Sequence, residues 1–214
     1  MNIKNTIAIL LFLLVFSLAA FGQDYFEGKI TYQVSIVSKF EKVDTNVIRG
    51  LTGYSSVFYY KKGNYRQVYD LDSLGQEIYR KADFKLYTKK NKSDTTFWID
   101  TRFPKSDLHN LITTDKKDTI MGIACKELTA YYSNRILSFY YNADSLKVDP
   151  DWYIGFNYND KWMIMQKTGS LYLKCKMDYG AFEIILTASA ISHEQIPYSY
   201  FQVFPNTVLV KKED

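Results

Sequence analysis

Few residues in this chain have types and spacing suited to chemistry. Its two histidines, His109 and His193, and its two cysteines, Cys125 and Cys175, stand well apart along 214 residues. Zinc sites draw His, Cys or carboxylate ligands at short, repeating spacing, and His193-Glu194 has no second histidine within a few residues. A cysteine nucleophile needs a base beside it, and neither cysteine has a histidine close in sequence. No Gly-x-Ser-x-Gly elbow, phosphate loop or dinucleotide fingerprint occurs. Acids do pair, at Asp70 with Asp72 and at Asp149 with Asp151 around Pro150. Paired carboxylates can cleave glycosidic bonds, but acids placed at turns ordinarily cap and hydrate them. The reading is therefore of no catalytic residue, no metal, no cofactor and no enzyme.

The cysteines matter through their compartment. Lys4 precedes an apolar run from Ile7 to Phe16 that fades into small residues at Ala20 and Gly22. This is the pattern of a cleavable signal peptide over residues 1–22, with cleavage after Gly22 and a single domain over 23–214. The run is shorter than the roughly 20 apolar residues a membrane span needs, so no transmembrane anchor is expected after cleavage. No cysteine follows it, which disfavours a lipid-modified N-terminus. Export to the periplasm, the outer surface or the medium puts Cys125 and Cys175 in oxidising surroundings. A disulfide between them would close a loop of about 50 residues and contribute about 4 kcal/mol. Against it, Cys125 alternates with Glu127 and Thr129 whereas Cys175 alternates with Leu171, Leu173 and Met177, which puts the two on opposite faces of a flat sheet. A disulfide and two free thiols both remain open.

Formal charge is +4, and acids and bases are interspersed, so there is no single-sign field of the kind nucleic acid requires. Aromatic residues make up 17% of the chain, mainly 19 Tyr and 14 Phe, and such residues favour strands. Phe26, Gly28, Ile30, Tyr32, Val34 and Ile36 alternate with Glu27, Lys29, Thr31, Gln33 and Ser35, giving a strand with one wet face. Segments 56–60 and 65–69 flank Lys61-Lys62-Gly63-Asn64, whose Gly and Asn tolerate the positive φ of a tight hairpin. Further turns fall at Asp72 to Gly75, Lys89 to Asp94, Ser133-Asn134 and Asp178-Tyr179-Gly180. The last of these leads into a strand on which Phe182, Ile184, Leu186, Ala188 and Ala190 share a face. Roughly ten strands in a meander are expected.

Helix signals gather between Asp149 and Gly169: Asp149 as N-cap, Pro150 at the first helical position, Gly169 just past the end. Gly155, Asn157 and Asn159 weaken the middle, which predicts either a short helix over 161–168 or two helical pieces separated by a break. Trp152, Phe156, Trp162 and Met163 form the apolar side.

Three stretches carry a family resemblance. Phe26-Glu27-Gly28-Lys29-Ile30-Thr31-Tyr32 directly after the signal, residues 118–126 ending in Ile123-Ala124-Cys125-Lys126, and Gly180-Ala181-Phe182-Glu183-Ile184 with Ile196-Pro197 and Phe204-Pro205 resemble secreted Bacteroidota proteins of the GLPGLI group. The group's naming motif is absent, since the chain reads Thr168-Gly169-Ser170-Leu171-Tyr172-Leu173 where it would stand, which suggests a sister group. The resemblance implies the LolA-like lipoprotein-carrier fold, an open, curved antiparallel half-barrel with one or two short helices over its concave face. A closed barrel or a sandwich is the alternative.

Such a sheet has one apolar face and too few helices to cover it, which suits a non-catalytic binding module for an apolar ligand or a lipid-bearing protein. Ile30, Tyr32, Val34, Phe182, Ile184 and Leu186 are the expected inner face, with Trp152, Phe156 and Trp162 closing over them. The rival reading is a structural or interaction protein of the cell envelope that holds no small molecule.

Overall fold

In the computed structural model, residues 25–73 and 75–212 are described. The signal-peptide reading of 1–22, with its cleavage point, lies outside the described residues. Alternation of the kind seen at the start of the domain produces strands throughout. β1 (Gly28–Ser38), β2 (Ser55–Lys61), β3 (Asn64–Tyr69), β4 (Gln76–Arg80), β5 (Lys85–Lys89) and β6 (Thr95–Asp100) form one meander. β7 (Leu108–Ile120), β8 (Ile123–Tyr132), β9 (Ile136–Tyr141), β10 (Tyr172–Asp178) and β11 (Phe182–His193) form a second. The two join where β1 pairs antiparallel with β11, and β12 (Val208–Lys211) adds beyond β6. The resulting open sheet runs β12-β6-β5-β4-β3-β2-β1-β11-β10-β9-β8-β7. It is mainly β and unclosed, as expected, but with twelve strands rather than ten, and β12 lies parallel to β6.

Local chemistry sets the turns. The β2–β3 hairpin turns on Lys62 and Gly63, at φ 46° and 82°, while Asn64 already belongs to β3 and pairs with Lys61. Positive φ at both central residues is the geometry that matches strand twist in a two-residue hairpin. Gly63 is required twice over, because a Cβ there would lie 2.8 Å from that of Trp152. A bulge interrupts β11: Thr31 faces Ala190 but Tyr32 faces Ala188, so Ser189 is the extra residue. Past it the alternation changes phase, so Ala190 is exposed and Ile191, opposite Ile30, packs on the core instead. The expected shared face therefore ends at Ala188.

The sheet curls. β5 and β10 are six strands apart, roughly 29 Å at about 4.8 Å per step if the sheet were flat. Yet Leu86 of β5 and Tyr172 of β10 line one hollow of about 140 Å³. Residues 142–171 fill part of the concave side. Asp149 accepts a hydrogen bond from the Asp151 N–H at the head of a 3-10 turn, Pro150–Tyr153, and a second turn follows at Tyr158–Asp160. The helix expected at 161–168 forms over Lys161–Thr168 and stops at Gly169 with φ 57°. A shorter-range feature was not anticipated: α1 (Thr45–Thr52), capped by Asp44 and burying Ile48, lies beside β1. The helix at Lys161–Thr168 is α2.

Aromatic stacking holds the inner segment down. The Phe156 ring stacks on Tyr79 at 3.9 Å between centroids, and parallel contacts continue to Tyr65 and Tyr153. Outside the curl, residues 194–207 return across the sheet toward β12, burying Ile196 and Phe201 against Ile78 and Tyr87. Glu27 anchors that return, its Oε1 accepting from Lys61 Nζ at 2.7 Å and from the Ile196 N–H at 2.8 Å.

Candidate functional site

Where residues 142–171 do not reach, the concave face stays open as a groove of about 490 Å³. Its apolar part is built by Val34 of β1, Met177 of β10, Ile184 and Leu186 of β11, and Leu51 of α1. Register explains the grouping, since Val34 lies opposite Leu186, and Ile184 opposite Met177. Leu51 and Tyr179 are exposed and stand at its mouth. The other end is polar, formed by Ser56, Gln67, Tyr69, Glu77, Asn159 and Tyr172. There the groove meets the smaller hollow, which Glu77, Asn159 and Tyr172 also line and to which Lys161 adds its side chain.

Glu77 and Lys161 are half-buried, and solvent reaches both through these hollows. Glu77 accepts a hydrogen bond from the Tyr65 hydroxyl at 3.0 Å. Burial raises its carboxyl pKa, an effect only partly offset by Tyr65, Lys161 and Tyr69. Burial likewise lowers the pKa of Lys161, whose ammonium sits 5.3 Å from the centre of the Tyr172 ring. Cys175 lines the groove with a thiol that burial pushes up to about 12, so it stays protonated and unreactive at neutral pH.

The expected inner-face residues separate into three groups. Val34, Ile184 and Leu186 come together in the groove, and Phe156 lines the adjoining hollow. Ile30 and Tyr32 are fully buried core, with the Tyr32 hydroxyl donating to the Tyr172 carbonyl at 2.8 Å. The remaining three stand outside the groove: Phe182 stacks on Tyr179 near the β10–β11 turn, Trp152 packs on Tyr25 and Tyr60, and Trp162 is 36% exposed. Cys125 and Cys175 are both free and buried. Cys175 lies on the Phe139 and Leu128 side of the sheet, and Cys125, an odd number of residues from Leu128, lies on the other.

The other chemically suggestive residues have local partners. His109 pairs with Ser133 at 2.8 Å, and His193 packs edge-on against Phe26. Asp70 accepts from the Tyr54 and Ser55 N–H groups, Asp72 pairs with Lys92, and Asp149 caps its turn. Among the described residues no group of three or more His, Cys, Asp or Glu is placed to hold a metal ion, and no helix is long and apolar enough to cross a membrane.

Sequence reasoning missed Glu77 and Lys161. Gln76-Glu77-Ile78-Tyr79-Arg80 reads as a strand with a wet face, and only the buried Tyr65 and Tyr79, paired in register beside Gln67 and Glu77, show that the glutamate points inward. The aromatic pattern of β3 and β4 held that signal, but both faces of this strand pair carry tyrosines or isoleucine.

No protein-family model and no curated protein matches the chain. Among solved structures it is similar to PNGF-II, in a P21 crystal form at TM-score 0.49 and 9% identity, covering 86% of this chain and 32% of that one. In the C2 form of PNGF-II the values are 0.50 and 12%, over 86% and 30%. The chain thus spans about a third of the PNGF-II chains. The Mycobacterium tuberculosis lipoprotein LppX matches at TM-score 0.36 and 12% identity, covering 80% of this chain and 89% of that one. At these identities the likeness is one of fold alone.

Proposed function

We propose that the protein is a non-catalytic binding module of the cell envelope that holds an apolar ligand, or the apolar part of a lipid-bearing partner, in the concave groove. The observation that carries this reading is the groove itself. It is about 490 Å³, within the roughly 300–1,000 Å³ range of small-molecule sites, and the chain's own covering segment leaves it open. Val34, Leu51, Met177, Ile184 and Leu186 give it an apolar wall, and a cleft with an apolar wall and a few polar groups has the make-up of a small-molecule site. The resemblance of three stretches to the GLPGLI group, and through it to LolA-like carriers, points the same way, as does the expectation of export. The tyrosines, the histidines and the acids at turns serve packing, capping and pairing, which fits a binding role without catalysis.

A titration with the neutral, environment-sensitive dye Nile red tests the reading. Saturable binding is expected, with Leu186→Glu weakening it at least about tenfold because a carboxylate would be desolvated against the apolar wall. Folded protein that binds no dye would sink the carrier reading and favour the rival, a structural protein of the envelope.

A further inference from the structure

The polar end of the groove narrows the class of ligand. Of the residues lining the groove and the adjoining hollow, one is a carboxylic acid, Glu77, and one an amine, Lys161, with no other Asp, Glu, Lys, Arg or His among them. No ion pair joins the two among the described residues, and both line the same hollow of about 140 Å³, which forms the gap between them. Hydrogen-bonding groups surround that gap, with Gln67, Asn159 and Tyr172 on its walls. Beyond it a further hollow, also lined by Glu77 and Asn159, leads toward the exposed Lys212.

A site balanced at zero charge disfavours a head group that adds a charge, because one unit would be left uncompensated in half-buried surroundings. It favours a head that accepts from an ammonium and donates to a carboxylate at once, which a hydroxyl group does. The apolar wall from Val34 to Leu186 continues from the same gap and suits a hydrocarbon chain. From this arrangement we infer that the groove takes a single-chain amphiphile with an uncharged, hydroxyl-bearing head, such as an acylated glycerol or sugar, its head between Glu77 and Lys161 and its tail along Leu186, Ile184 and Met177. This rests on the apolar-groove reading and goes beyond it by assigning the head group.

Four twelve-carbon probes distinguish the cases: monolauroylglycerol, laurate, dodecylamine and methyl laurate, each displacing Nile red below its aggregation concentration. On the wild-type protein monolauroylglycerol should displace the dye at about tenfold lower concentration than the other three. Glu77→Gln should then move the preference toward laurate and Lys161→Met toward dodecylamine, with methyl laurate unchanged in both. A purely structural role for either residue would not move selectivity in opposite directions. Laurate or dodecylamine binding best to the wild type, or four equal affinities, would overturn the head-group assignment while leaving the apolar groove intact. Absence of dye binding would overturn both. The wild-type ranking decides the matter even if a variant fails to fold, which far-UV circular dichroism would report.

Discussion

Glu77 shows how one residue's role depends on where the fold puts it. In sequence it lies between Gln76 and Ile78 on a short strand with no sign of burial, and its counter-charge, Lys161, comes from a helix on another part of the chain. The curl of the sheet brings them into one hollow. Burial then raises the Glu77 pKa even with Lys161's attraction included. An acid whose folded pKa lies above its unfolded value, about 4.3, holds its proton more tightly when folded. Its stabilising contribution is full below that unfolded value and is lost as pH rises through the folded one. Glu77→Gln removes the ionising group, so the variant should gain in urea midpoint relative to wild type as pH rises from about 4 through the raised folded value. A difference that stays constant or reverses over that range would contradict the placement of Glu77. The cysteines were legible to a further degree: alternation alone put them on opposite faces, and the register does so too.

At the scale of elements, the sequence was clearest where a signal is local. Asp149 and Pro150 start a helical turn, Gly169 ends α2, and the period-two pattern from Phe26 gives β1, because caps, φ restrictions and side-chain alternation act over a few residues. The bulge at Ser189 and the parallel pairing of β12 were not legible, since each depends on a partner strand distant in sequence. The first and last of the three stretches singled out in the sequence acquire a physical meaning here. Glu27 in the first ties down Ile196 in the last, and Gly28, at φ 151°, lets the backbone pass where a Cβ would meet the Ser192 carbonyl oxygen. The aromatics of residues 150–168 were grouped by sequence but are separated by the fold. Phe156 is buried in a stack with Tyr79, Tyr65 and Tyr153, whereas Trp162 faces outward. Phe156→Ala should cost about 3–5 kcal/mol through the cavity it leaves. Trp162→Ala should cost clearly less, because over a third of its surface is already exposed. Equal costs in urea unfolding would mean that the segment does not dock as described.

Over the whole molecule, one open sheet is covered unequally. Residues 194–207 pack against its outer face, and residues 142–171 fill part of the inner one. Among the described residues nothing covers the groove between α1, β1, β10 and β11, apolar at its mouth and polar at its end. The fold class was legible because tyrosine-rich alternation and short turns leave few other solutions. The groove was legible only in part. Val34, Ile184 and Leu186 follow from alternation, but their neighbours Leu51, Glu77 and Lys161 arrive from α1, β4 and α2, and only a curled sheet assembles them. Native mass spectrometry of the protein purified from its own host, before and after organic extraction, tests the central claim most directly. A stoichiometric added mass that extraction releases as an amphiphile is the predicted result; protein that arrives at its bare mass and takes up no Nile red would contradict it.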